Sequence, residues 1–177
     1  MWIRMLAAAT ACVPFIASGI AGAGERKPLA KPGDTYVAIS FHGCLGTCPD
    51  FELYVFDDGH LVFRGNNRYT ARRGIVHRTV GRNTYQRLLN YLDSHPVFDK
   101  RPECVEWATD HPGVTAFSTS HGQPQKAYWY FGCVRDADFA RELFETFVVE
   151  TNTAALIDSD TREWEKTSTE MKKRVSK

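Results

Sequence analysis

Residues 35–65 read TYVAISFHGCLGTCPDFELYVFDDGHLVFRG. From Thr35 to His42 apolar and polar residues alternate, with Val37, Ile39 and Phe41 on one side, which is the period of a half-buried strand. Phe51 to Phe56 repeats the pattern with Phe51, Leu53 and Val55. Asp57-Asp58-Gly59 is a hairpin signal, because glycine enters the positive-φ turn position without steric cost, and Leu61-Val62-Phe63 is the returning strand. Between the first two strands lies a loop, Gly43-Cys44-Leu45-Gly46-Thr47-Cys48-Pro49. Three short strands joined by tight connections make an antiparallel sheet.

Outward from this stretch, Gly65-Asn66-Asn67 breaks the alternation and Ile75 to Val80 forms a fourth, less regular strand. The period then changes. Tyr85, Leu88, Leu89 and Leu92 fall on one helical stripe behind a cap at Asn83 or Thr84, and Pro96 ends the run. Asp99 to Pro112 is irregular. Val114 to Ser118 and Lys126 to Phe131 flank His121-Gly122-Gln123-Pro124 and read as a second hairpin. Asp136 caps a second helix with Phe139, Leu143, Phe144, Phe147 and Val148 on its apolar stripe. The expected fold is a single α+β domain over residues 35–157, order ββββαββα, an antiparallel sheet with two helices packed on one face. Residues 158–177 are expected to be a charged C-terminal tail.

Composition narrows the class. Of 177 residues, 43% are hydrophobic and 24% charged, an ordinary globular balance that excludes collagen, coiled coil and wholesale disorder. Lys and Arg number 22 against 21 Asp and Glu, so net charge gives no pull toward nucleic acid or an acidic membrane. Residues 1–23, MWIRMLAAATACVPFIASGIAGA, place one basic residue before an uncharged run and end in Ala-Gly-Ala. That is the order of a secretory signal peptide, and Pro14 and Gly19 interrupt a run already short of the ~20 residues of a membrane anchor. Export, to the periplasm or outside the cell, with cleavage after Ala23, is expected. Residues 24–34 are polar and read as a linker to the fold. Cleavage removes Arg4 and Cys12, which leaves zero net charge and four cysteines, Cys44, Cys48, Cys104 and Cys133. An even number of cysteines in an exported chain points to disulfides, with three possible pairings.

The loop and its surroundings resemble the bacterial domain-of-unknown-function family 6438. The features are Ile39, the GC-x-G-x-CP loop (Gly43, Cys44, Gly46, Thr47, Cys48, Pro49), Tyr54, the Asp58-Gly59 turn, Phe63 and Gly65. The likeness continues through Leu88-Leu89, Phe98, the D-x-P motif of Asp110 and Pro112, the second hairpin and the last helix, about Thr35 to Ile157. It implies a fold and no mechanism, since the family's activity is uncharacterised. Two positions depart from the family: Leu45 stands where an aromatic is usual, and Cys104 where Tyr is usual. The second departure implies that Cys104 and Cys133 were added together as a bridge.

Loop entropy hardly separates the pairings, since closing 44–48 and 104–133 is worth roughly 2 and 3.5 kcal/mol and crossed loops gain only about 1 kcal/mol more each. Cys44 and Cys48 flank one turn, in which Gly46 is expected to supply positive φ and Pro49 to fix the exit. The bland reading is therefore a staple. The sharper alternative is thiol redox or copper chemistry: C-x-x-x-C-P looks like the copper motif of Sco-type assembly proteins, and His42 would complete a Cys2His set of soft ligands. Against it, no helix follows Cys48, so the dipole that commonly lowers a thiol pKa is missing.

Other residues carry weaker signals. His77, His95, His111 and His121 show no H-E-x-x-H and no close pair. Asp110 before a turn is expected to cap its own backbone. Tyr128-Trp129-Tyr130-Phe131 is either an aromatic platform or a central strand with one face under a helix. Arg68, Arg72, Arg73, Arg78 and Arg82 form a basic stretch, either a solvated face or an anion site. No spaced catalytic set occurs. The expected function is a monomeric, non-catalytic binding or interaction module for an envelope or extracellular partner, without cofactor, nucleic acid or membrane span after cleavage.

Overall fold

The computed structural model describes residues 29–99, 104, 110–133 and 136–158. The expected signal peptide and all of the charged tail except Asp158 lie outside them. The alternating segments become β1 (Tyr36–His42), β2 (Phe51–Phe56), β3 (His60–Gly65) and β4 (Gly74–Thr79), followed by α1 (Arg82–Ser94), β5 (Gly113–Ser118), β6 (Gln125–Tyr130), α2 (Ala137–Thr151) and the one-turn α3 (Ala154–Ile157). The strands form one antiparallel sheet in the order β4-β3-β2-β1-β5-β6. Among the described residues, no helix is long and apolar enough to cross a membrane.

Register explains the core. Ile39 faces Leu53 on one neighbour and Ala116 on the other, Phe41 faces Phe51 and Val114, and Leu53 faces Phe63. With a side-chain period of two, these residues share one face, and that face meets the helices. Leu88 and Leu92 of α1 and Leu143, Phe147 and Val148 of α2 are buried against it. Each such aliphatic or aromatic side chain stabilises the fold by about 1.5–3 kcal/mol. Arg87 of α1 pairs with Glu150 of α2 at 2.6 Å.

Helix ends differ from the sequence reading. Helix α1 begins at Arg82 behind Gly81, so Asn83 and Thr84 lie inside its first turn, and the Thr84 hydroxyl donates to the Val80 carbonyl. Asp136 occupies the N-cap of α2, but its side chain makes no capping bond. The α2 C-terminus turns at Asn152, whose left-handed backbone (φ 51°) sends its N–H to the last-turn carbonyls of Val148 and Val149. Asparagine tolerates that conformation because its short polar side chain bonds locally. The carbonyls of Leu156 and Ile157 in α3 accept the amides of Arg72 and Ala71, which pins the β3–β4 loop to the end of the domain.

Gly59 is the tightest turn position. Its φ is +84°, its amide closes the turn onto the Phe56 carbonyl, and a Cβ there would run into the Gly81–Arg82 backbone. At the same end of the sheet, Lys31 to Asp34 form a turn, the Asp34 carbonyl accepts the Thr119 hydroxyl, and the Thr35 carbonyl accepts the Asp57 amide.

Candidate binding face

The face of the sheet turned away from the helices is not a plain polar surface. Its residues are those that alternate with the core set: Tyr36, Ala38, Ser40 and His42 on β1, Glu52, Tyr54 and Phe56 on β2, His60, Val62 and Arg64 on β3, Ile75, His77 and Thr79 on β4, Thr115 and Phe117 on β5, and Lys126, Tyr128 and Tyr130 on β6. Near the β2–β3 turn, rings follow one another across four strands. Tyr36 lies 5.1 Å from Tyr54 and 5.9 Å from Phe56, Phe56 lies 6.0 Å from His60, and His60 lies 5.2 Å from His77. These spacings fall in the range of favourable ring pairs. Near the opposite end, Tyr128 lies 6.5 Å from Tyr130 and 6.1 Å from His42.

Between the two ring groups sits a cross-strand ion pair. Arg64 donates to Glu52, and the two side chains keep only 15% and 12% of their surface exposed. Flanking rings withdraw them from water, so the pair is neutralised within the face. Burial, with smaller contributions from Glu52 and Tyr36, pushes the Tyr54 phenol up to about 12, while Arg64 opposes the shift. Burial and then Tyr130 raise the Tyr128 phenol. Both remain neutral hydrogen-bond donors at physiological pH.

The cysteine loop rises from the His42 end of this face. Cys44 and Cys48 are joined in a disulfide with Cα atoms 5.4 Å apart. Gly46 does not use positive φ; its amide instead donates to the Cys44 sulfur at 3.4 Å. Leu45 projects almost fully into solvent, 93% exposed. Its amide donates to Asp110 Oδ1 at 2.7 Å. Asp110 therefore does not cap its own backbone. It clamps a loop 65 residues earlier, from a left-handed conformation (φ 68°). The adjacent His111 amide donates to the Tyr130 hydroxyl at 3.1 Å, which carries the clamp to the open face. On the other flank the loop is knitted to the β3–β4 turn. Asn67 Nδ2 donates to the Cys48 carbonyl, Asn66 Nδ2 to Asp50 Oδ1, and the buried Thr70 hydroxyl to the Asp50 carbonyl.

Residues 35–147 match the model of a family described as a domain of unknown function (DUF6438). The chain belongs to the DUF6438 family. No curated protein and no solved structure matches it. Within the DUF6438 segment, the motif residues fall at the two ends of the sheet. Gly43 to Pro49 meet Asp110 and Pro112 at one end, where the Pro112 carbonyl accepts the Phe131 amide. Asp58 and Gly59 make the turn at the other, with Asp58 Oδ1 accepting the His60 amide at 2.7 Å. The two positions at which the chain departs from the family reading are also placed: Leu45 is the exposed tip, and Cys104 is bonded to Cys133, Cα atoms 5.9 Å apart.

Several site expectations change. Cys44 and Cys48 are bonded to each other, and His42 Nε2 sits 2.8 Å from the Thr115 hydroxyl. The aromatic run Tyr128 to Phe131 is not in a central strand. Among the described residues strand β6 is an edge, Trp129 points into the core with its indole N–H on the Val97 carbonyl, and Tyr128 and Tyr130 lie on the open face with no described helix above them. Of the basic stretch, Arg68 and Arg73 line a shallow groove of about 390 Å³ with Asp158, while Arg68 also covers the Tyr69 ring and Arg78 bonds the Asn152 carbonyl. The histidines do form a close pair: His60 Nε2 and His77 Nδ1 are 3.0 Å apart. Chain spacing hid it, because sheet register brings the two strands together.

Proposed function

We propose that the chain is an exported, non-catalytic binding module that receives an envelope or extracellular partner on its open sheet face, beside the disulfide-stapled loop. The observation that carries this reading is the composition of the sheet face that the described helices leave open. Solvent-facing sides of antiparallel sheets ordinarily alternate polar residues outward, whereas here rings occupy both ends and the central charges neutralise each other. Aromatic side chains give large contact area at low entropy cost, which is why they dominate binding surfaces. Beside the neutralised Glu52–Arg64 pair the face carries Lys126 over the Phe117 ring, a sparse charge that matches a partner with apolar patches and hydrogen-bonding groups better than a polyanion. Leu45 at the rim adds an exposed apolar contact held in place by Asp110.

The test compares the exported protein with a Tyr36→Ser/Tyr128→Ser variant in cross-linked capture from the native envelope. The binding reading expects one partner recovered in proportion to bait with the wild type and lost with the folded variant. Equal recovery by both would sink it. Thiol titration separates the rival reading: four unreactive mature cysteines fit a staple, whereas a readily reducible Cys44/Cys48 pair or stoichiometric copper on those sulfurs would move the function to redox or metal handling.

A further inference from the structure

His60 and His77 stand on adjacent strands of the open face, 17 residues apart in the chain. Val62 is directly opposite His77 and Thr79 opposite His60, so the two imidazoles are diagonal neighbours. Their rings are nearly parallel, 27° apart, and Nε2 of His60 lies 3.0 Å from Nδ1 of His77. His60 is braced on both sides. Its amide is held by Asp58 Oδ1, and the Phe56 ring lies 6.0 Å away. His77 is on the edge strand and faces solvent.

We propose that His60 Nε2 and His77 Nδ1 are a two-nitrogen site for a borderline divalent transition-metal cation, Cu²⁺ in preference to Zn²⁺. Metal–imidazole bonds of about 2.0–2.1 Å place cis nitrogens about 2.9 Å apart at a right angle and about 3.3 Å apart at a tetrahedral one. At 3.0 Å the two nitrogens meet head-on at hydrogen-bond distance, so a shared cation requires both rings to rotate until their lone pairs converge, and the Irving–Williams order then favours Cu²⁺ over Zn²⁺. Strand backbones hold the pair, so little reorganisation is needed beyond ring rotation. Two neutral imidazoles supply both lone pairs once each ring carries its proton on the nitrogen away from the metal. Among the described residues, no group of three or more His, Cys, Asp or Glu is placed to hold a metal. Water, or a donor brought by a bound partner, can fill the remaining positions. The site does not depend on the cysteine loop, which lies at the other end of the sheet.

Cu²⁺ titrated into the folded, oxidised protein with a competing chelator is expected to bind one equivalent, with electron paramagnetic resonance showing two equatorial nitrogens. His60→Gln and His77→Gln should each weaken that equivalent by roughly tenfold or more. Binding that is unchanged in the double variant would overturn the site, as would a spectrum with a single nitrogen. Zn²⁺ added to unaltered protein gives a check free of mutational damage. The ring resonances of His60 and His77 should shift together ahead of those of His42, His95, His111 and His121, and first shifts at any other histidine would refute the assignment.

Discussion

Asp110 joins two motif segments with one hydrogen bond, and its backbone sits where few side chains are comfortable. Asp110→Asn keeps an acceptor and tolerates the left-handed conformation, so stability should change by less than about 0.5 kcal/mol. Asp110→Ala loses both and should cost about 1–2 kcal/mol, with faster hydrogen exchange at the Leu45 amide; denaturant melts of the two variants check the ordering. Gly113 is constrained differently. Tyr128 lies over its Cα, and a Cβ there would enter the ring. Gly113→Ala should therefore destabilise by about 1–3 kcal/mol, and pairing it with Tyr128→Ser should recover part of the loss in a double-mutant cycle. A full, additive loss in the double variant would show that the ring is not what Gly113 accommodates.

Strands and helices were legible in the sequence wherever one face alternates against the core: β1, β2 and the α2 stripe are read from Val37, Ile39, Phe51, Leu53, Leu143 and Phe147, all buried. What sequence spacing could not show is which strand ends at an edge. Strand β4 alternates poorly because it is one, with Ile75 55% exposed. The sequence equally hid the Asp110 clamp and the His60–His77 contact, since both depend on pairings across the sheet and leave no local period. The turn of Asn66, Asn67 and Thr70 read only as an interruption, although its side chains hold the cysteine loop. The two disulfides differ at this scale. Replacing Cys44 and Cys48 by Ser opens a five-residue ring and should cost about 2 kcal/mol, partly offset by the hydrogen bonds that still fix the loop. Replacing Cys104 and Cys133 opens a ring of 30 residues and should cost about 3.5 kcal/mol. Thermal melts of the two double variants should rank in that order, with the folded circular-dichroism spectrum retained in the first.

For the molecule as a whole, alkali should destabilise the fold through the tyrosines. The phenols of Tyr36, Tyr54, Tyr85, Tyr91 and Tyr128 are all raised from the ordinary value near 10, chiefly by burial, Tyr54 to about 12. In the unfolded chain they ionise near pH 10, whereas the native state still holds their protons. The native state then binds more protons than the unfolded one, so the tyrosines' contribution to stability is fully present below about pH 10 and is lost as pH rises toward 12. Titration at 295 nm should show part of the tyrosine absorbance appearing late, together with loss of tertiary signal. Phenols that all ionise near pH 10 in a still folded protein would contradict the burial of these rings.

The position of β1 in the middle of the sheet has a kinetic corollary. The first four strands can zip in sequence by local turns, but the second edge of β1 pairs with β5, which lies beyond α1 and the segment ending at Pro112. Loop closure over that separation is slow compared with hairpin formation. In the interval, a newly made chain presents an open, apolar template of Val37, Ala38, Ile39 and Phe41, the kind of edge that recruits neighbours into aggregates. The late hairpin of β5 and β6 is therefore the chain's own chaperone, occupying that template before another molecule does.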